Sequence, residues 1–213
     1  KVLGEDIKQL DCHEAYCYAL MVLLHDVGNI HGRKGHNDPR KIAEIYNKYR
    51  ANSDNFSQEK RVVAKGASAH TGIAKDGSRD TLKFLEEDQL NGEKIDLVKL
   101  AALLRFSDEL AEGKHRTCSY MIENDLFDED SEIYHIYAKS TEIAVDKPGQ
   151  RIAITYNISI GGSLDENERE KLKKILNFTF LRAVKLDIER RYTKHYSYLL
   201  SDFKKVVVRY NFI

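Results

Sequence analysis

The sequence has no net charge. Thirty-four lysines and arginines face thirty-four aspartates and glutamates over 213 residues, so no global field would hold the chain on nucleic acid or an anionic membrane. Any basic site must be local. Cysteine is scarce: Cys12, Cys17 and Cys118 form neither a CxxC spacing nor an even framework, which argues against a disulfide scaffold and for a reducing compartment, the cytoplasm. Long apolar runs are also missing. The longest, Ala15 to Leu24, is too short to span a bilayer and lacks signal-peptide flanks, so it reads as a buried helix. Repeats and low-complexity segments are absent. The chain opens on Lys1 rather than Met, as a piece of a longer protein would. Its length accommodates one real core plus a small addition.

What is present reads as helix over the first part and changes period afterwards. Asp11 followed by Glu14 resembles a capping box ahead of the apolar run, and Gly28 stands where that helix would stop. Asp38-Pro39 supplies a cap and a first-turn proline for a helix with Ile42, Ile45, Tyr46 and Tyr49 inside. Ser57 can open a third helix, through Val62, Val63 and Ala67 to His70, before the polar stretch Thr71 to Arg79. Asp96 can cap an amphipathic helix on which Leu97, Leu100, Ala101, Leu104 and Asp108 share one face.

Beyond the acidic stretch Asp125 to Glu132, period two predicts strands: Tyr134, Ile136 and Ala138, then Ile152, Ile154, Tyr156, Ile158 and Ile160, with a turn at Asp146-Lys147-Pro148-Gly149. Ser163 with Glu166 can cap a long helix carrying Leu172, Ile175, Leu176 and Val184. Val206, Val208, Tyr210 and Phe212 alternate again. The fold class expected is mainly α, a helical domain over residues 1–124 followed by a small α+β module over 125–213.

Five polar residues fall at the ends or on the inner faces of these helices: His25, Asp26, His36, His70 and Asp108. A carboxylate left unpaired on a core face costs several kcal/mol, so Asp108 needs a metal, an arginine or hydrogen bonds. A divalent cation would satisfy it together with His25 and Asp26. Helical neighbours diverge by about 100 degrees, so His25 and Asp26 reach one ion only at a helix end or kink. Gly28 marks such an end.

The order Leu23-Leu24-His25-Asp26-Val27-Gly28, then His36 ahead of a helix, then Ala69-His70, then Leu103 to Leu110 with Asp108, resembles the HD superfamily of metal-dependent phosphohydrolases. The resemblance covers Asp11 to Arg116 and is most specific at Leu23 to Gly28 and Leu103 to Asp108. It implies an HD-type helical bundle in which His25, Asp26 and Asp108 hold a first ion. His36 and His70 would complete a second site or donate a proton. Catalytic duty would fall to His25, Asp26 and His70, with one or two ions of Mn, Fe, Zn, Co or Mg. The implied reaction is hydrolysis of a phosphoester or phosphoanhydride, of a nucleotide among such substrates, by metal-activated water. Arg33 and Lys34, and Lys114 and Arg116 beyond Asp108, are placed to meet phosphate charge.

The family pattern also includes a histidine on a preceding helix. Here His13 is the one upstream histidine, about 18 Å along the inferred helix from His25. The expectation is that this ligand precedes Lys1, leaving the chain as given with weaker metal binding. The alternative is a degenerate HD domain that senses a nucleotide or metal for a larger protein. Plainer readings stand beside these. His25-Asp26 could be an ordinary helix end, and Asp108 could pair with Arg105 or Arg116. His36 could be a simple turn residue, and His31, His115, His135 and His195 surface or packing residues. Tyr192, Tyr196 and Tyr198 read as packing. A phosphorylated small molecule is the expected partner, with no membrane or nucleic acid and with a fused or partner domain upstream.

Overall fold

The computed structural model describes residues 2–32, 36–49, 56–74, 76–117, 124, 131–160 and 165–213. Two compact units divide the chain: Lys1–Ser107 with Tyr192–Ser201, and Asp108–Arg191 with Asp202–Ile213. The class is mainly α with a small α+β module, as the change of period predicts. The boundary expected after residue 124 falls in the stretch 118–130, of which Asn124 alone is described. Among the described residues no helix is long and apolar enough to cross a membrane.

The first unit is built on α1 (Cys12–Leu24), α2 (Pro39–Tyr49) and α3 (Phe56–Ser68), with most of α4 (Leu97–Glu109). Its caps are those the sequence announces. The Asp11 carboxylate accepts the His13 and Glu14 amides, Asp38 accepts Arg40 N–H, and Asp96 accepts Lys99 N–H, each satisfying a backbone donor that a helix leaves open. Glu14 does not close a capping box. Its side chain is buried and takes an ion pair from Lys99 of α4 at 2.7 Å, because a buried carboxylate gains more from a cation than from a weakly solvated amide.

The third helix begins at Phe56, one residue ahead of Ser57, and packs against both α1 and α2. Close approach is possible because Gly66 lacks a side chain: a Cβ there would lie 2.6 Å from Met21 Cε and 2.7 Å from Leu97 Cδ1. Met21, Cys17, Ile42, Val62, Val63, Leu97, Leu100 and Phe106 are fully buried around this contact. The polar stretch after α3 leads into a short hairpin, β1 (Asp88–Leu90) and β2 (Glu93–Ile95). Its turn, Asn91-Gly92, has φ of 56° and 85°, the left-handed pair that a two-residue hairpin requires.

The second unit contains α5 (Glu132–Ser140), β3 (Thr141–Asp146), β4 (Arg151–Ile158), most of α6 (Glu166–Tyr196) and β5 (Lys205–Phe212). Strands β3 and β4 pair antiparallel across the predicted turn, with Asp146 opposite Arg151. After α6, β5 pairs parallel to β4, with Ile152 opposite Val206, giving the order β3-β4-β5. Ile152, Ile154, Tyr156 and Ile158 are buried, alternating along β4 as expected.

The strand expected at Tyr134, Ile136 and Ala138 is instead α5. Ile136 is largely exposed, whereas Tyr137 and Ala138 are buried. Tyr134 and Tyr137, three residues apart, both meet the Phe178 ring, with centroids 5.1 and 5.2 Å away. The working period is therefore that of a helix. The long helix is capped by Asp165, which accepts Glu168 N–H at 2.8 Å. Ser163, the cap expected from sequence, lies outside the described residues.

Candidate metal centre

Helix α1 runs out at His25, which still has helical dihedrals (φ −59°, ψ −36°), while Asp26 moves to φ −100°, ψ −3° and opens the 3-10 turn Val27–His31. That change of path lets two consecutive residues serve one place. Histidine Nε2 of His25 lies 3.5 Å from Asp26 Oδ2. His36 sits in the turn before Asp38 caps α2, and its Nε2 is 2.6 Å from Asp26 Oδ1. His70 lies two residues past the end of α3, with Nε2 3.9 Å from the same Oδ1.

The three imidazoles surround the one carboxylate. The His70 ring stands edge-on to those of His25 and His36, each at 5.0 Å between centroids. Ligand atoms of His25, Asp26 and His70 all fall within 4.8 Å of one another, a spread that metal–nitrogen and metal–oxygen bonds of about 2 Å can bridge. The His70 side chain is wholly buried, His25 and His36 mostly so, and Asp26 is half open to solvent.

Two histidines are also fixed in tautomer. His25 Nδ1 lies 2.8 Å from Val22 O and His70 Nδ1 2.6 Å from Ala67 O. A carbonyl only accepts, so each Nδ1 must carry the proton and donate it. In the neutral ring Nε2 is then the unprotonated nitrogen, the one chemically able to ligate. That is the arrangement by which metal-binding histidines are oriented, through the nitrogen that does not ligate. Two preset imidazole donors and a carboxylate suit Zn, Fe, Co or Mn, and Mg less well.

The turns bearing these residues are tied together. Asn37, next to His36, donates from Nδ2 to Thr71 O at 3.3 Å, and Thr71 follows His70. Gly72 has φ of 101°, and a Cβ there would come within 1.8 Å of Asn37 Nδ2. Only glycine fits this contact.

Asp108 lies in the last turn of α4, half-buried, as the first residue of the second unit. Arg33 and Lys34 lie outside the described residues. Arg116 belongs to a 3-10 turn, Lys114–Arg116, and approaches Glu112 at 3.6 Å, while Lys114 pairs with Glu142 at 2.7 Å. Both cations are thus engaged by carboxylates of the second unit. His13 sits in the first turn of α1, at the opposite end from His25. A second group of ligand-type residues, Asp11, Cys12 and His13, is consecutive in sequence, and Asp11 is spent on capping α1. Of the aromatic residues expected to pack, Tyr192 and Tyr196 are half-buried and donate to Asp80, whereas Tyr198 is exposed.

Residues of consequence that sequence reading passed over are Asp80 and Thr81, just past the stretch taken as a polar interruption. Asp80 is met by Tyr192 and Tyr196 from more than a hundred residues away, and Thr81 by Ala69 and Arg105 from other elements, contacts that no local period signals.

A family model described as HD-CE matches residues 1–177. No curated protein and no solved structure matches the chain.

Proposed function

The chain belongs to the HD-CE family, and from that premise we propose that it is a metal-dependent phosphohydrolase, cleaving a phosphoester or phosphoanhydride of a nucleotide. The observation that supports this reading is the convergence of three imidazole Nε2 atoms on the Asp26 carboxylate, with His25 and His70 held in the ligating tautomer. When bound, one or two divalent cations would offset charge on phosphoryl oxygens and acidify water for the attack.

The protein's own part follows from its atoms. His25 and His70 offer Nε2 lone pairs whose direction is set by the Val22 and Ala67 carbonyls. Asp26 offers two oxygens, one facing each side of the cluster. His36 Nε2, at hydrogen-bond distance from Asp26 Oδ1, orients that carboxylate and is the group positioned to hold a proton there. The His70 side chain is wholly buried and the Asp26 carboxylate half open to solvent, so Asp26 is the more accessible of the two. Asp108 enters this reading through its place in the HD-like order of the sequence, and Arg33, Lys34 and Arg116 through their charge.

A second reading, a degenerate HD domain that binds a nucleotide or metal without turnover, is favoured by one observation. Within the given residues, His13 sits in the first turn of α1, at the opposite end from His25, and does not join the cluster. One experiment separates the two: metal content and phosphate release over a panel of nucleotides, for the wild type and for Asp108→Ala. The enzyme reading expects turnover in the wild type, and joint loss of turnover and metal in the variant with helical content kept. Metal or nucleotide binding without phosphate release would replace it with the sensor reading. Unchanged phosphate release by Asp108→Ala would remove Asp108 from the mechanism.

A further inference from the structure

We infer that Thr81 is a positioning residue for His70, and that the end of α6 sets it in place through Tyr192 and Asp80. The inference rests on the metal reading of the His25, Asp26, His36 and His70 cluster and names what orients one of its ligands.

The polarity of every bond in the chain of contacts is determined. Arg105, buried on α4, directs Nη1 to Thr81 Oγ1 at 2.9 Å and to Arg79 O at 3.3 Å. A guanidinium only donates, so Thr81 Oγ1 accepts there and its own proton is available elsewhere. That proton goes to Ala69 O at 2.6 Å, the carbonyl of the peptide that leads into His70. The His70 ring is meanwhile held through Nδ1 on Ala67 O. The ring and the backbone N–H of His70 are thus both held on Ala67 O within the α3 terminus, while the carbonyl of the peptide leading into His70 is held separately, from Thr81.

What holds Thr81 comes from the C-terminal end of α6. The Tyr192 ring lies under the Arg105 guanidinium, 4.4 Å from its centre. Its hydroxyl accepts Leu82 N–H at 3.1 Å and donates to Asp80 Oδ1 at 2.8 Å. Tyr196 donates to the same carboxylate at 2.8–2.9 Å. Residues 80 and 82 are thus both tethered to Tyr192, and Thr81 between them has little freedom. Outer partners of ligating histidines fix ring direction, and their loss costs metal affinity although they never touch the ion.

The test titrates Co(II) into the wild type, Thr81→Val, Thr81→Ser and Tyr192→Phe, following the visible absorption of the bound ion. In parallel, the His70 ring resonances of the cation-free proteins are recorded by nitrogen-15 NMR. Thr81→Val, matched in shape but without the hydroxyl, is expected to lose about tenfold or more in Co(II) affinity and to move the His70 resonances. Thr81→Ser keeps the hydroxyl and is expected to stay near the wild type in both. Tyr192→Phe keeps the ring under Arg105 and is expected to shift both readouts in the direction of Thr81→Val. It also carries the test if Thr81→Val does not fold. Co(II) binding unchanged in Thr81→Val and Tyr192→Phe overturns the inference while leaving the metal reading intact. If the wild type itself binds no Co(II), the metal reading fails and the NMR comparison decides alone. Unmoved His70 resonances in both variants then overturn the positioning role, and movement that Thr81→Ser does not share upholds it.

Discussion

Replacing Lys99 with methionine probes how α1 is anchored. Glu14 and Lys99 side chains are 7% and 9% exposed, with Nζ 2.7 Å from one carboxylate oxygen and 2.8 Å from the other. The Lys99 ammonium also stands 5.9 Å from the Tyr198 ring centre. Lys99→Met keeps the volume and removes the charge, so the Glu14 carboxylate stays in the core without its cation. Breaking one side of such a pair costs about 3–5 kcal/mol, whereas replacing both partners with apolar groups of similar size is often near neutral. For a chain of this length that cost corresponds to a midpoint lowered by roughly 6–20 °C. Thermal melts by circular dichroism at neutral pH, on Lys99→Met, Glu14→Leu and the double variant, complete the cycle. The double variant should melt well above Lys99→Met, because it removes the stranded carboxylate. If Lys99→Met melts with the wild type, or the two single losses simply add in the double variant, the pair is not a buried, coupled one and the reasoning fails.

Three further outcomes follow. Burial pushes the Asp88 carboxyl up, but hydrogen bonds from Arg61, the Gln89 amide and Lys65 outweigh it and hold the group at about 2. The folded value lies below the unfolded one, so the stabilisation is complete above about pH 5 and is lost as pH falls from about 4 towards 2. Arg61 and Lys65 are half-exposed, so screening reduces the contribution to about 1 kcal/mol. Asp88→Asn should therefore cost about that much in urea denaturation at pH 7 and much less near pH 2, and a pH-independent difference would refute the assignment. Gly72→Ala places a methyl group on Asn37 at a positive φ and should destabilise by about 1–3 kcal/mol. It should also weaken Co(II) binding more than Gly77→Ala, which has open space; equal binding by the two would show that the Asn37–Thr71 tie does not support the cluster.

How much the sequence disclosed depended on the range of the interaction involved. Caps at Asp11, Asp38 and Asp96 are contacts over two or three residues, and each acts where the local pattern puts it. The gathering of His25, Asp26, His36 and His70 was readable because helix ends announced by Gly28, Pro39 and the Thr71 stretch placed them on packed elements. The Tyr134 segment was misread because a short apolar run alternates by chance. Its burial is decided by Phe178, more than forty residues on. Asn91-Gly92 carries the signal of a hairpin turn, but three-residue strands are too short for their alternation to register. Glu14 looked like half of a capping box, and only the partner across on α4 shows why it is buried. Thr81 and Asp80 resemble any polar loop until Tyr192 and Arg105 are brought beside them.

The central claim is that the imidazoles around Asp26 form a cation site, and Co(II) titration of the wild type against Asp26→Asn tests it most directly. Asparagine keeps the size of the side chain and a hydrogen-bond acceptor for His36, but loses the charge that a divalent ion requires. The account predicts saturable Co(II) binding by the wild type, with visible bands of nitrogen and oxygen ligation, and their loss in Asp26→Asn at unchanged helical content. Equal binding by the two proteins would contradict it.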